Sequence, residues 1–316
     1  GLLGQPIAFE ADVIGADGRA AAAALQSGQI LIMENLRFYP QEEANDRNFA
    51  EKLAALGDIY IGDAFSCAHR AHASIDALPR LMPAAVGRSF AAELTALQAA
   101  LTTPQRPLVA VVGGAKVSSK LALLENLVIK VDGLVLGGGM ANTFLLANGA
   151  SIGASLAEPD MVSLAKSIMA TAAAHNCQIL LPSDVVVGTS FSVNTPYRIT
   201  DSKEIAEDEL ILDVGPKSVA AVQEFLTECR TVVWNGPIGA FELPPFDAAT
   251  NAISQEVARL TQNQHLMSIA GGGDTMAALA NAGVNDQFTH VSTAGGAFLE
   301  WLEGKTLPGV DALRQL

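Results

Sequence analysis

The sequence predicts an α/β protein in which parallel strands alternate with helices. Six short apolar runs alternate with stretches of helical spacing, and continuous apolar runs are typical of parallel strands that are buried on both faces. Turn-forming residues, mostly glycine, follow these runs, at the end of the strands where ligands bind in sheets of this kind. The runs with their turns are LVAVVGG (108–114), DGLVLGGGM (132–140), CQILLPSD (177–184), TVVWNGPIG (231–239), HLMSIAGGGDT (265–275) and THVSTAGGA (289–297).

Four further strands and two helices are predicted before the first of these runs. A chain of 316 residues is long enough for about two domains. The turn-rich break TTPQRP at 102–107 follows a predicted helix at Phe90–Leu101, so we place the domain boundary near Phe90–Pro107. The other predicted helix is DRNFAEKLAAL (46–56), and the predicted strands lie within PIAFEADVIG (6–15), QILIMENLRF (29–38), DIYIGDAF (58–65) and AAVGRSF (84–90).

The composition argues against several classes of function. Acidic residues outnumber basic ones 33 to 19, whereas binding to nucleic acid or to an anionic membrane needs clustered Lys and Arg. No apolar run approaches the roughly 18 residues of a membrane span, and the first ten residues do not resemble a signal peptide. The three cysteines lack metal-ligand spacing, so we expect reduced thiols in a cytoplasmic protein.

The stretch GGAKVSSK at 113–120 places two lysines where a helix is predicted to begin. A cation there faces the positive end of the helix macrodipole, which costs about 0.3–1 kcal/mol at an exposed site. An anion bound between Lys116, Lys120 and free backbone N–H groups would explain the placement, and Ser118 is a candidate helix cap. The stretch is not a P-loop, because the glycine before the lysine is missing. A plain turn with two solvated lysines is the alternative.

Two glycine-rich turns, GGGM at 137–140 and GGGDT at 271–275, are either plain strand-to-helix turns or parts of a binding site. Neither completes the G-x-G-x-x-G fingerprint, which argues against an NAD-dependent dehydrogenase. Asp274 either caps a helix or faces Mg²⁺ held by nucleotide phosphates, with Thr275 adding a hydroxyl.

Three further residues are candidates in the second half of the chain. In STAGGA, Gly295 and Gly296 offer backbone N–H groups at a predicted helix start, where a transferring phosphoryl group could bind. Glu242 follows a Gly-Pro turn and is either a solvated glutamate or a ligand of a ribose.

The first half of the chain contributes two candidate arginines. Arg37 and Arg70 either form structural salt bridges or bind a phosphate-bearing substrate. His69 and His72 form an H-x-x-H pair, which we discount as a metal site because no third ligand is near in sequence.

Eight motifs together resemble one family, the phosphoglycerate kinases, over nearly the whole chain. The resemblance implies two Rossmann-like domains of three-layer αβα type, which face each other across a cleft and close by hinge bending. It implies a partial 3-phosphoglycerate-binding domain at 1–89, a connecting helix at 90–106, a nucleotide-binding domain at 107–295 and a segment at 296–316 that returns to the first domain. The motifs, in the family's order, are ENLRF, DAFSCAHRAHAS, GGAKVSSK, GGGMANTFL, DVGPKS, WNGPIGAFE, GGGDT and STAGGAFLEWLEGKTLPGV.

The same resemblance implies a function and a site. Family members transfer a phosphoryl group reversibly between ATP and 3-phosphoglycerate, giving ADP and 1,3-bisphosphoglycerate, a step of glycolysis that uses Mg²⁺. We expect this activity in a monomer without nucleic-acid or membrane partners. We expect no general base at the site, because the acceptor carboxylate is ionised near neutral pH. The implied roles are catalysis for Lys116, Gly295 and Gly296, substrate binding for Arg37 and Arg70, magnesium binding through nucleotide phosphates for Asp274, and nucleotide binding for Gly114, Lys120, Gly138, Asn235, Glu242, Gly272, Gly273, Asp274 and Thr275.

The sequence departs from the family pattern at its beginning. Motifs like DFNVP and HLGRP, which supply further 3-phosphoglycerate ligands in the family, do not occur. We therefore expect an amino-terminally shortened copy with an incomplete first domain, which binds Mg-ADP but has very low or no turnover. A non-catalytic nucleotide-binding remnant is the alternative. Smaller departures are Ser66, Ser119 and Ala294, each at a position where the family usually has another residue.

Overall fold

The structure, a computed structural model, describes residues 4–314. Residues 1–3 and 315–316, which belong to the predicted first domain and carboxy-terminal segment, lie outside the described residues. The helices are α1 (Ala16–Ala23), α2 (Pro40–Glu43), α3 (Arg47–Ala54), α4 (Arg88–Leu101), α5 (Leu121–Leu127), α6 (Gly138–Ala147), α7 (Val162–Ala174), α8 (Pro216–Glu228), α9 (Ala248–Gln262), α10 (Gly273–Asn281), α11 (Gly295–Leu302) and α12 (Pro308–Arg314). The strands are β1 (Ala8–Glu10), β2 (Leu31–Met33), β3 (Tyr60–Gly62), β4 (Ala84–Val86), β5 (Leu108–Val112), β6 (Gly133–Leu136), β7 (Gln178–Leu180), β8 (Asp184–Gly188), β9 (Tyr197–Asp201), β10 (Leu210–Val214), β11 (Thr231–Asn235), β12 (Met267–Gly271) and β13 (His290–Ser292).

The chain divides into two compact units, and each is described by itself. One unit contains the described residues up to Ala92 and those from Thr306 onward, and the other is Glu93–Lys305. The division falls within α4. The domain bounds that the sequence suggested stay a prediction.

The first unit contains two small parallel sheets, one of β1 and β2 and one of β3 and β4. The four predicted strands are present, but each has only three residues, fewer than the apolar stretches suggested. The predicted helix at 46–56 is α3. The Asp46 carboxylate caps α3 by accepting a hydrogen bond from Phe49 N–H at 2.7 Å.

Buried residues of α3 and of the segment after β3 form the core of this unit, with Phe49, Ala50, Leu53, Ala73 and Leu78 among them. The last helix, α12, packs in the same unit. Gly309 N–H donates to Ala68 O at 2.9 Å, and Asp311 lies 2.9 Å from Arg80.

The second unit is built on a six-stranded parallel sheet in the order β13-β12-β11-β5-β6-β7. The six predicted runs form these six strands. Every residue of β5, β6 and β11 is buried, as expected for strands covered on both faces. The strand order reverses between the neighbours β5 and β11, and ligands bind outside the carboxyl ends of the strands at such a switch point.

The sequence analysis missed a three-stranded antiparallel sheet in the order β10-β8-β9. Four of the five residues of β9 are exposed, so this strand lacks the apolar run by which the others are recognised. Only parallel strands were expected, and this sheet corrects that expectation. It forms part of the cleft described below.

None of the described helices combines the length and the apolar composition that crossing a membrane requires.

Candidate functional site

The turns after β5, β6, β11 and β12 meet at the carboxyl edge of the parallel sheet. Two of them require glycine. Gly138 has a φ of +68°, and a Cβ there would lie 2.6 Å from Gly114 O. Gly236 has a φ of +100°, and its Cβ would lie 2.2 Å from Gly113 O. Backbone therefore packs directly on backbone here, which leaves room above the turns for a ligand.

Lys120 joins the turns after β5 and β11. Its Nζ donates hydrogen bonds to Gly113 O at 2.6 Å, to Asn235 Oδ1 at 2.6 Å and to Asn235 O at 3.2 Å. Burial lowers the pKa of this ammonium to about 8, and the Asp274 carboxylate acts in the opposite direction. Oxygen atoms of the protein thus stabilise a cation that the helix dipole disfavours, so its placement does not by itself require a bound anion.

The helix after GGAKVSSK begins later than predicted. Ser118–Lys120 form a short 3₁₀ turn, and α5 begins at Leu121. The expectation that Ser118 caps the helix was wrong, because its N–H and Oγ donate to the Glu158 carboxylate at 3.0 and 2.5 Å. The side-chain hydrogen bond from Ser118 is the main cause of a lowered pKa at Glu158. This contact anchors the loop that carries Lys116, whose exposed side chain forms no salt bridge with residues 4–314.

Asn235 and Thr275 hold the turns from within the protein. Asn235 is 4% exposed, and its Nδ2 donates to Gly271 O at 2.7 Å. Thr275 is 1% exposed, and its Oγ1 accepts from Gly236 N–H at 2.7 Å and donates to Gly271 O at 2.9 Å. The expectation that Thr275 offers a hydroxyl to phosphate or Mg²⁺ does not fit this geometry, because the hydroxyl already makes two hydrogen bonds to backbone atoms of Gly236 and Gly271.

The first turn of α10 lies at the same edge. Gly272 is the N-cap residue, so Asp274 does not cap the helix but lies in its first turn. The exposed Asp274 carboxylate, and the N–H groups of Gly273 and Asp274, form no hydrogen bond with the residues that the structure describes. Free N–H groups at the positive end of a helix attract anions, and carboxylate oxygen is a preferred ligand of Mg²⁺.

A cleft of about 750 Å³ opens above these turns. It is large enough for a nucleotide, since ligand clefts usually measure about 300–1,000 Å³. Four of the expected nucleotide-binding residues do not line it: Asn235, Gly272, Gly273 and Thr275. Asn235 and Thr275 support its floor through their hydrogen bonds. The expected nucleotide-binding residues that do line the cleft are Gly114, Lys120, Gly138, Glu242 and Asp274.

The sequence analysis missed the apolar wall of the cleft. Phe191 and Leu156 line it although they are 63% and 54% exposed, and exposed apolar side chains of this size are a sign of a binding surface. No motif marks these residues, because they lie on loops next to the antiparallel sheet. The wall also includes Leu210, Leu212 and Phe241.

The start of α11 lies beyond β13, at the same end of the sheet. Gly295 is the first helical residue and Ala294 is the N-cap residue. The N–H groups of Gly295 and Gly296 have no hydrogen-bond partner among the described residues, as expected for an anion site. Neither glycine lines the cleft.

The two candidate arginines lie in the first unit. Arg37 is in a short 3₁₀ turn, Leu36–Phe38, after β2, and Arg70 follows another, Phe65–Cys67, after β3. Both side chains are exposed, and neither forms a salt bridge with residues 4–314. The structural salt bridge that was the alternative for each arginine is therefore not present in this part of the chain.

Comparisons with known proteins agree on one family. The family model described as "Phosphoglycerate kinase" matches residues 1–305. The chain belongs to the phosphoglycerate kinase family. The phosphoglycerate kinase of Azorhizobium caulinodans is 58% identical over 313 residues, which cover 99% of this chain and 79% of that protein. The phosphoglycerate kinase of Xanthobacter flavus is 55% identical over 315 residues, which cover 100% of this chain and 79% of that protein.

Solved structures of phosphoglycerate kinases share the fold. The structure from Coxiella burnetii superposes with a TM-score of 0.92 at 43% identity, covering 98% of this chain and 77% of that one. The structure from Pyrococcus horikoshii OT3 gives a TM-score of 0.80 at 29% identity, covering 99% of this chain and 79% of that one.

Membership of the phosphoglycerate kinase family confirms the resemblance, the α/β fold with parallel sheets and the enzyme class, a kinase. It favours the catalytic reading over the non-catalytic remnant. The expected shortening at the amino terminus and the roles of individual site residues stay predictions.

Proposed function

We propose that the chain transfers a phosphoryl group between ATP and 3-phosphoglycerate, and that the cleft at the switch point between β5 and β11 holds the nucleotide. The single observation that supports this most is the pairing of an apolar wall with an anion-attracting floor in one cleft. A flat nucleotide base can pack on the apolar wall, and phosphates can bind to the free N–H groups of helix N-termini and to a lysine ammonium.

Within this proposal the nucleotide extends along the cleft from Phe241 to α10. The base packs on the apolar wall and the ribose reaches the exposed Glu242. The phosphates reach the free N–H groups of Gly273 and Asp274, and they compete with Gly113 and Asn235 for the ammonium of Lys120. Gly114 and Gly138 let the phosphates approach the backbone closely.

Magnesium fits the donors that the cleft presents. Asp274 offers an exposed carboxylate that accepts no hydrogen bond from the residues that the structure describes, and Mg²⁺ is typically bound by one or two carboxylates together with substrate phosphates and water. No group of three or more His, Cys, Asp or Glu within residues 4–314 could hold a metal by itself. When bound, Mg²⁺ would neutralise charge on the phosphates.

The remaining groups would align the reaction. The acceptor is the carboxylate of 3-phosphoglycerate, which is already ionised, so the site needs positioning and charge stabilisation rather than a base. We assign charge stabilisation to Lys116 and to the N–H groups of Gly295 and Gly296. We assign the binding of 3-phosphoglycerate to Arg37 and Arg70, whose guanidinium groups have no acidic partner among the described residues. We further propose a monomeric, cytoplasmic enzyme of glycolysis.

The nucleotide site is tested by calorimetric titration of the full chain with Mg-ADP. We expect Lys120→Ala and Asp274→Ala each to weaken binding about tenfold or more, because each removes a charged contact. Lys166→Ala on α7 and Asp286→Ala, which remove the same charges from exposed positions of the same unit, should leave the affinity unchanged. Binding that survives both site substitutions unchanged would contradict the assignment.

The reaction is tested by 3-phosphoglycerate-dependent formation of ADP, coupled to NADH oxidation. Lys116→Ala should lower this rate while Mg-ADP affinity stays close to that of the wild type, because Lys116 lies outside the cleft. ADP formation that does not depend on 3-phosphoglycerate would overturn the proposed substrate.

A further inference from the structure

A buried carboxylate that none of the roles above uses, that of Asp213 in the motif DVGPKS, supports the wall of the nucleotide cleft. Asp213 is 2% exposed and lies on β10. The pairing of β10 with β8 shifts register between Ile211 and Asp213, so Leu212 is an extra residue, a β-bulge. Bulges redirect the neighbouring side chain and are frequent next to binding sites.

The Asp213 carboxylate ties three elements together. Its Oδ1 accepts a hydrogen bond from Val214 N–H at 2.9 Å, and its Oδ2 accepts one from Ala249 N–H, in the first turn of α9, at 2.9 Å. A Cβ on Gly239 would lie 2.0 Å from Oδ1, so the carboxylate packs directly on that turn. The bulge itself also reaches the turn, because Leu212 O accepts a hydrogen bond from Ala240 N–H at 2.8 Å.

Every segment that Asp213 touches, apart from α9, lines the cleft. Leu212, Val214, Gly239 and Ala240 are all lining residues. Asp213 itself borders the cleft, although it is only 2% exposed, so moving the carboxylate would move the wall on which we place the base.

No cation compensates this carboxylate within residues 4–314. Burial raises the pKa of Asp213 to about 7, while the two backbone N–H donors act in the opposite direction. The charged neighbour is Asp247, the N-cap residue of α9, whose negative charge raises this pKa further. Protonated and ionised forms are therefore both populated near neutral pH.

We propose that Asp213 is a positioning residue whose protonation couples the affinity of the cleft for a nucleoside diphosphate to pH near neutrality. This inference rests on the proposed nucleotide site. A bound nucleotide adds negative charge and excludes water next to the carboxyl group, and both effects favour its protonated form. By linkage, binding takes up protons, and affinity falls as pH rises through neutrality.

The test is the affinity for Mg-ADP between about pH 6.0 and about pH 7.5, measured by calorimetry on the full chain. If binding raises the pKa of Asp213 by about one unit, the affinity of the wild type for Mg-ADP should fall about threefold over this pH range compared with the affinity of Asp213→Asn. The comparison with the variant cancels the titration of ADP itself. Asp247→Asn removes the charge that favours protonation and should shift the wild-type transition to lower pH.

Two controls keep the test decisive. Asp286→Asn removes one exposed carboxylate of the same unit and should retain the wild-type pH profile. If Asp213→Asn does not fold, the shift in Asp247→Asn still tests the inference. A second test that needs no variant is the number of protons that the wild type takes up on binding Mg-ADP at pH 7, measured by calorimetry in buffers of different ionisation enthalpy.

The outcomes separate the two proposals. Wild-type protein that fails to bind Mg-ADP at every pH would overturn the proposed function. Binding with the same pH profile in the wild type, Asp213→Asn and Asp247→Asn would overturn the role of Asp213 and leave the proposed function intact.

Discussion

At the scale of single residues, the ammonium of Lys120 shows how the cleft is prepared for charge. It is held by Gly113 and by Asn235, and burial lowers its pKa to about 8. A lysine that is partly desolvated before a ligand arrives interacts more strongly with phosphate than one in bulk water.

The lowered pKa of Lys120 predicts a pH dependence of stability. Between about pH 8 and the ordinary lysine value near 10.5, the unfolded chain binds this proton and the folded chain does not. The contribution of Lys120 to the free energy of unfolding therefore rises with pH over this window and is lost as pH falls through about 8. Urea unfolding at both ends of the window should show a smaller rise in Lys120→Met than in the wild type. An equal rise in the two would contradict the shift, and Lys166→Met is the matched control.

The close approach of two turns predicts a large effect at Gly236. An alanine there would combine a positive φ with a Cβ that lies 2.2 Å from Gly113 O, so we expect Gly236→Ala to lower the free energy of unfolding by about 3 kcal/mol. Gly149 also has a positive φ, +82°, but nothing lies within 4 Å of its Cβ position. Gly149→Ala should therefore cost only about 1 kcal/mol. Equal losses in urea unfolding would show that the contact between the turns is unimportant.

At the scale of elements, the site depends on how loops are attached to the ends of strands. The loop with Lys116 is not part of α5, and its contact with Glu158 comes from the segment between α6 and α7. The antiparallel sheet contributes an apolar wall to turns that the parallel sheet provides. Each element alone presents only part of a site.

The contact between the Lys116 loop and Glu158 predicts a local change in dynamics. Glu158→Gln removes the negative charge that strengthens both hydrogen bonds from Ser118: the amide oxygen can still accept from Ser118 N–H, and the amide nitrogen can donate to Ser118 Oγ. Losing the charge assistance of both hydrogen bonds costs about 1.5 kcal/mol, so amide exchange at 116–120 should become roughly tenfold faster. Hydrogen exchange followed by mass spectrometry measures this, with the exposed Glu207→Gln as control. An unchanged exchange rate would mean that Glu158 does not hold the loop.

At the scale of the whole molecule, the two units each have their own core and sheet. The second unit contains the switch point between β5 and β11 and all the residues that line the cleft. The first unit carries Arg37 and Arg70 on turns that follow its small sheets.

The sequence determined the parallel sheet and the location of the site. Its six strands come from mostly apolar runs, and glycine turns follow most of them, so the apolar pattern and turn chemistry, which are local properties, were sufficient. The turns that carry Gly114, Lys120, Gly138, Glu242 and Asp274 were found in this way, whereas the assignment of these residues to nucleotide binding came from the family resemblance. All five line the cleft.

Only the tertiary structure decided what each side chain contacts. Thr275 and Ser118 follow local rules for capping or ligand binding, yet the Thr275 hydroxyl accepts from Gly236 N–H and the Ser118 hydroxyl donates to the Glu158 carboxylate. These partners lie 39 and 40 residues away in the chain. Asp213 lies in the motif DVGPKS, but its burial and its bond to α9 depend on a bulge that no local pattern predicts. Hydrogen bonds and desolvation are set by three-dimensional neighbours, and a sequence pattern does not contain them.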